Sequence, residues 1–146
     1  VKQKYGRHGD IKPENILWFK DEDANDQIVG SLLLADFGLT AFHETGATRV
    51  KPGFPVTLTY MPPELANDHI SQSNDIWSLG YVLLEFVTWY LLGEEGYENF
   101  EESRMHSDHD GRVINTYFIL DVEESEPIGR TPQFVAKPNL VVLNVS

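Results

Sequence analysis

The 146-residue sequence has no cysteine. That excludes a disulfide framework, a thiol nucleophile and a cysteine-ligated zinc site. Basic side chains are scarce: 11 Lys and Arg stand against 23 Asp and Glu, a formal net charge of −12. So acidic a surface repels phosphate backbones and anionic headgroups, so neither nucleic acid nor a membrane surface is an expected partner. No charged-then-apolar signal segment follows Val1, and a cytoplasmic or nuclear setting is the expectation. There is no internal repeat. Hydrophobic residues at 41% and charged residues at 23% are ordinary globular usage, which excludes collagen, a long coiled coil and wholesale disorder. The length predicts one domain.

The charge that is present is uneven. Residues 94–126 carry 11 acidic and 2 basic side chains, whereas the first 12 residues carry four of the 11 basic ones. Phosphate handling, if any, is expected near that N-terminal end, with a metal ion to screen the acids. Residues 1–15, broken by Gly6, Gly9 and Pro13, read as a structured loop. Ile16–Phe19 and Ile28–Ala35 read as two strands of a hairpin with a long acidic tip. Residues 36–63 hold three Gly and four Pro without periodicity, a long irregular segment of the kind that tends to carry function. Ile76–Leu92 is apolar on nearly all sides, with Ser73, Asn74 and Asp75 as N-cap candidates and Gly93 as a stop. Its 17 residues and central Glu85 favour a buried core helix over a membrane span. Residues 94–112 read as exposed and acidic, and Ile114–Val122 as a short helix or strand. Trp18, Trp77 and Trp89 are expected in the core.

Four short motifs fall in order along this framework: His8-Gly9-Asp10-Ile11-Lys12-Pro13-Glu14-Asn15, Asp36-Phe37-Gly38, Pro62-Pro63-Glu64 and Asp75-Ile76-Trp77-Ser78-Leu79-Gly80. Each alone is weak. Together, separated by hairpin, long loop and buried helix, they resemble the C-terminal lobe of a eukaryotic protein kinase of the serine/threonine type. The Gly in the first triplet is similar to a set of fungal kinases. The resemblance is carried by residues 5–92 and extends into 98–139 through Phe100…Arg104 and Val135-Ala136-Lys137-Pro138. It implies an α+β, protein-kinase-like fold: a partial, mainly helical lobe with a β-hairpin at the catalytic loop, spanning 1–139, with 140–146 as a tail.

The resemblance also implies roles. Asp10 accepts the substrate hydroxyl proton, and Lys12 faces the transferred phosphate of ATP. Asn15 and Asp36 offer hard oxygen ligands for Mg²⁺. Phe37 packs under the site and sets its state, and Gly38 allows the turn behind the metal ligand. His8 supports the loop. Thr57, beside Asp10 and Lys12, shapes the pocket for a protein substrate, and with Lys12 it indicates the serine/threonine type. Asp75 holds the catalytic-loop backbone; a carboxylate at a helix start is also an ordinary N-cap. Glu64 pairs with an Arg further along, for which Arg104, Arg112 and Arg130 are available.

The sequence also departs from the pattern. Gly9 replaces Arg, Val56 replaces the Gly before Thr57, and Pro62 replaces Ala. No G-x-G-x-x-G and no Val-Ala-x-Lys occurs, so a fragment of a longer kinase with little activity by itself is the expectation. The alternative, from another class, is a catalytically inactive kinase-like binding or scaffold module. An exposed apolar face around Ile16, Leu17, Phe37 and Leu39 is expected. The Asp21–Asp26 run begins like a calcium loop but lacks its sixth-position Gly and twelfth-position Glu. His106–Asp110 reads as a polar loop rather than a metal cluster, and Asn144-Val145-Ser146 is an isolated glycosylation triplet.

Without an Arg at position 9, a phosphate on the activation segment lacks its usual charge-assisted partner. Glu substitutions at Thr40, Thr45 and Thr48 are therefore expected to leave phosphoryl-transfer activity of the full-length protein within about twofold. A large activation in that series would refute the reading.

Overall fold

The computed structural model describes residues 4–20, 29–43, 47–49, 57–67, 69–107, 110–121 and 133–136. The acidic hairpin tip, Thr45, Val56, Arg130, the 140–146 tail and the glycosylation triplet lie outside the described residues.

Among the described residues, five two-stranded antiparallel ribbons, one long helix and four short 3-10 turns make up the regular structure. Strand β1 is Tyr5–Arg7, β2 is Ile16–Lys20, β3 is Gly30–Leu34 and β4 is Ala41–His43. The expected hairpin is β2–β3, in register from Ile16 opposite Leu34 to Lys20 opposite Gly30. Strand β1, inside the stretch read as loop, pairs with β4 through Gly6 opposite Phe42. Its three residues have no local strand signature; a partner more than thirty residues away defines it. Strands β5 (Ala47–Arg49) and β6 (His69–Ser71) pair next. The helix α1 follows, at Ser73–Arg104. Beyond it come β7 (Met105–Ser107) with β8 (Val113–Asn115), then β9 (Phe118–Asp121) with β10 (Gln133–Ala136). In the ambiguous Ile114–Val122 segment, Ile114, Asn115 and Phe118–Asp121 are strand, Thr116 and Tyr117 lie between them, and Val122 is outside the described residues.

The expected stop at Gly93 is met by a break: the residue is non-helical, with φ 71° and ψ −166°. A second helical stretch follows through the acidic residues to Arg104. Ser73, Asn74 and Asp75 are not its N-cap. Gln72 is, without a side-chain cap. The three sit within the first turn, where Asn74 accepts from the Ser71 N–H.

The larger correction concerns burial. The buried residues of the helix up to Gly93 are Asn74, Ser78, Val82, Glu85 and Thr88, a single stripe at helical spacing. Four of the five are polar. Most of the apolar residues lie off that stripe and are exposed, with Ile76, Phe86, Trp89 and Tyr90 each more than half accessible. Trp18 is likewise exposed, so of the three tryptophans only Trp77 is part-buried. Apolar composition therefore misjudges this helix: within the described residues Val82, Trp77 and Tyr81 pack inward beside the polar stripe, and the expected core role is not met by most of its other apolar residues. By length and composition alone α1 could cross a membrane.

Asn74, Ser78 and Glu85 of the stripe bond groups outside the helix, whereas Thr88 bonds the Leu84 carbonyl of its own helix. Glu85 is only 3% exposed and receives hydrogen bonds from Tyr60 (2.7 Å), Tyr117 (2.8 Å) and the Arg104 guanidinium. Burial pushes the Arg104 guanidinium down, and its bonds to Glu85 and Tyr117 more than reverse this, leaving it raised. Arg104 also lies over the Tyr117 ring, 4.7 Å from its centroid, and Tyr117 stacks on Tyr81. The small apolar core, Ile11, Tyr60 and Val82 with Ile16 and Tyr81 against it, lies beside this cluster.

Removing one member of a buried ion pair strands the other charge in a poorly solvated site, at a cost of about 3–5 kcal/mol. Arg104→Ala is expected to lower stability by that amount in urea unfolding. A loss under about 1 kcal/mol would mean that water reaches Glu85.

Candidate functional site

The loop between β1 and β2 presents His8 through Asn15, and α1 holds it from below. The Asp75 carboxylate accepts the His8 N–H (2.7 Å) and the Gly9 N–H (2.9 Å). Two adjacent backbone donors are thereby satisfied by one side chain. Gly9 has φ +86°, and a Cβ there would lie 2.6 Å from Arg7 Nη1 and 3.0 Å from the Leu39 carbonyl oxygen. The sharp turn thus calls for glycine on both conformational and steric grounds. The His8 side chain faces the other way: its Nε2 bonds the Ala35 carbonyl oxygen (3.0 Å) and its ring packs edge-on against Phe37 at 5.1 Å.

Asp10, Lys12, Asn15 and Thr57 come together above this support. Lys12 Nζ lies 2.8 Å from Asp10 Oδ2. Thr57 Oγ1 donates to Asp10 Oδ1 (2.8 Å), and Lys12 donates to Thr57 Oγ1 (3.4 Å). Asn15 Nδ2 donates to the Asp10 carbonyl (2.8 Å) and Oδ2 (3.2 Å). Burial pushes the Asp10 carboxyl up, but bonds from Lys12, Thr57 and Asn15 and the Lys12 charge hold it below its ordinary value. Lys12 is raised, chiefly by its bond to Asp10, with the charges of Glu14 and Asp36 adding. At neutral pH the pair is therefore Asp10⁻ and Lys12⁺, and the carboxylate is unprotonated.

Asp36 stands at the end of the hairpin. Its neighbour Ala35 donates its N–H to the Asn15 carbonyl (2.8 Å) and accepts from His8, so β3 is tied to the loop at two points. Asp36 adopts a left-handed φ of 59° and caps the short turn Phe37–Leu39, its Oδ1 accepting from Gly38 N–H at 3.1 Å. Asp36 Oδ2 stays open to solvent, and Asn15, whose amide donates through nitrogen, keeps its Oδ1 for another ligand. Two hard oxygens on adjoining segments fit Mg²⁺, which takes few protein ligands and keeps its waters. Among the described residues no cluster of three or more His, Asp or Glu could hold a metal by itself.

Two expected residues stand apart. Phe37 is 63% exposed, and its partner is His8 rather than a covering layer. Of the expected uncovered face, Leu17 and Phe37 are exposed, whereas Ile16 packs against the small core and Leu39 is half-buried. Glu64 borders a separate hollow with Trp77 and Tyr81. Arg104, one of its candidate partners, pairs with Glu85 instead, and among the described residues Glu64 makes no ion pair. The residues not foreseen are Tyr60, Ser78 and Tyr117. A signal existed: a Glu in the middle of an apolar helix needs a buried cation or donors, and the chain has few cations to choose from.

Residues 3–132 match the family model of the protein kinase domain. The chain is 38% identical over 82 residues to lectin-domain containing receptor kinase VI.4 of Arabidopsis thaliana, covering 56% of this chain and 11% of that protein. It is 36% identical over 107 residues to a probable protein kinase of Dictyostelium discoideum, covering 72% and 27%. It is 31% identical over 102 residues to Aurora/IPL1-related protein kinase 2 of Caenorhabditis elegans, covering 68% and 28%. The chain thus spans well under a third of each of these relatives.

The Asp75 tether makes its own prediction. Asp75→Ala leaves two loop N–H groups without their acceptor, at a cost of about 1–3 kcal/mol for each that stays buried. Asp75→Asn keeps one acceptor oxygen and is expected to lose about half as much in denaturant unfolding. Equal losses for the two variants would show that the carboxylate's charge, and not its acceptor geometry, holds the loop.

Proposed function

The chain belongs to the protein kinase family, and on that footing we propose that it carries the catalytic loop of a serine/threonine protein kinase. The observation that carries this reading is the Asp10–Lys12–Thr57 triangle, closed by contacts of 2.8, 2.8 and 3.4 Å. Phosphoryl transfer asks a protein mainly for positioning and charge neutralisation. When bound, ATP would supply the phosphoryl group and Mg²⁺ would screen its charge. Asp10 takes the proton of the substrate hydroxyl. Lys12, already oriented by Asp10 and Thr57, offsets negative charge where it gathers. Asn15 Oδ1 and the Asp36 carboxylate would hold the metal. Asp75 and His8 keep the loop and the Asp36 turn in mutual register. The serine/threonine preference rests on Lys12 and Thr57 sharing one hydrogen-bond network with Asp10, and a serine/threonine protein kinase of rice is among the relatives, 41% identical over 81 residues. A protein substrate and a cytoplasmic or nuclear setting belong to the same reading.

The test uses the full-length protein that contains this segment, with Mg²⁺, ATP and peptides offering Ser, Thr or Tyr. Transfer to Ser or Thr is expected. Asp10→Asn should lower kcat by about 10²-fold or more, the usual worth of a positioned proton acceptor, and Asp36→Ala should abolish Mg²⁺-dependent turnover. Cellular function that survives Asp36→Ala unchanged would point to the scaffold alternative instead. Transfer to Tyr alone would overturn the substrate assignment while leaving the kinase standing.

A further inference from the structure

We propose that Arg7 is a positioning residue whose buried guanidinium, lodged against the Gly9 turn, holds the loop that presents Asp10. The proposal rests on the kinase reading and adds to it a cation that the reading does not use.

Arg7 is the last residue of β1 and stands opposite Ala41 in the ribbon. It is only 6% exposed, an uncommon place for an arginine. The His8 side chain between positions 7 and 9 leaves toward Ala35 and Phe37, so positions 7 and 9 share the other side of the chain. Gly9 leaves that space empty and Arg7 fills it. Arg7 Nη1 lies 2.6 Å, and Cζ 3.5 Å, from the point where a Cβ at position 9 would stand. The guanidinium therefore rests on the backbone of the very turn from which Asp10 emerges.

Charge gives the placement its use. A cavity of about 30 Å³ lies among the loop, the Thr57 turn and α1, with room for no more than one or two water molecules. Among the described residues Arg7 is the only cation in its lining, against the carboxylates of Asp10 and Asp75. Asp10 already has Lys12. Asp75 gives its oxygens to the His8 and Gly9 N–H groups, and its charge is the one that favours the ionised Arg7 against the cost of burial. A guanidinium does not lose its proton in a protein, so this buried charge is permanent. Asp75 holds the turn by accepting its two amides. Arg7 holds it by filling the space at Gly9 and balancing the carboxylate that those amides bind.

The experiment compares wild type, Arg7→Met and Arg7→Lys in the full-length kinase. Met keeps a long unbranched side chain and drops the charge; Lys restores the charge. For Arg7→Met a fall in kcat of about 10- to 100-fold is expected, in line with a slight misplacement at the reacting centre, with the KM for ATP within twofold. Hydrogen exchange followed by mass spectrometry should show the peptide 5–12, which holds the His8 and Gly9 amides, exchanging about tenfold faster, and the peptide 80–92 of α1 unchanged. Arg7→Lys should recover much of both losses. A merely structural role would speed exchange in both peptides alike, and that outcome overturns the proposal. So does wild-type behaviour of Arg7→Met, or an Arg7→Lys variant no better than Arg7→Met. Should Arg7→Met fail to fold, Arg7→Gln, which keeps N–H donors without the charge, is read against Arg7→Lys by the same measurements. A wild-type protein that transfers no phosphate refutes the kinase reading, and exchange in the 5–12 peptide then decides the positioning proposal by itself.

Discussion

Two backbone N–H groups at the tip of one loop end on a single carboxylate, and the site is built outward from that contact. Asp75 lies within the first turn of α1, a place where a negative charge is favoured by the unpaired amides of the helix start. It spends its oxygens on His8 and Gly9. This fixes a tight glycine-dependent turn, which in turn fixes where Asp10 emerges and which way the His8 ring points. The ring bonds the carbonyl just before Asp36, so the same contact reaches the second half of the site. Helix, loop and hairpin, none of which shares a large apolar interface, are held in register by a few directional bonds.

That economy of contacts explains the odd character of the helix. A side chain that holds a loop must present an acceptor or donor, so the buried stripe of α1 is Asn74, Ser78, Glu85 and Thr88 with one Val. Each polar group on it has a named partner: Asn74 the Ser71 N–H, Ser78 the Tyr60 and Asn74 carbonyls, Glu85 its three donors, Thr88 the Leu84 carbonyl. Most of the apolar remainder of the helix, and Leu17, Trp18, Phe19 and Leu32–Leu34 of the hairpin, are exposed.

Much of this was legible in the residues. The hairpin was marked by two apolar runs around an acidic tip, and its register follows from their alignment. The loop and the Asp36 turn were marked by residue types that serve few other purposes together. What stayed hidden was set by distance along the chain. Strand β1 exists because β4 pairs with it, and nothing in Tyr5-Gly6-Arg7 announces that. The exposure of Trp18 and Trp89 depends on what lies against them, which apolarity alone does not reveal. The Glu85–Arg104 pair is separated by nineteen residues and a kink at Gly93, so no local pattern joins it, although a charge in the middle of an apolar helix said that some partner existed.

Gly9 carries a consequence for which side chains the loop admits. The backbone there has a left-handed φ, the Leu39 carbonyl lies within 3.0 Å of where a side chain would start, and the Arg7 guanidinium lies closer still. Any side chain at position 9, arginine included, would sit strained against an occupied space. The loop's route past position 9 and the placement of Arg7 are therefore one coupled choice: a larger residue there calls for both to change together.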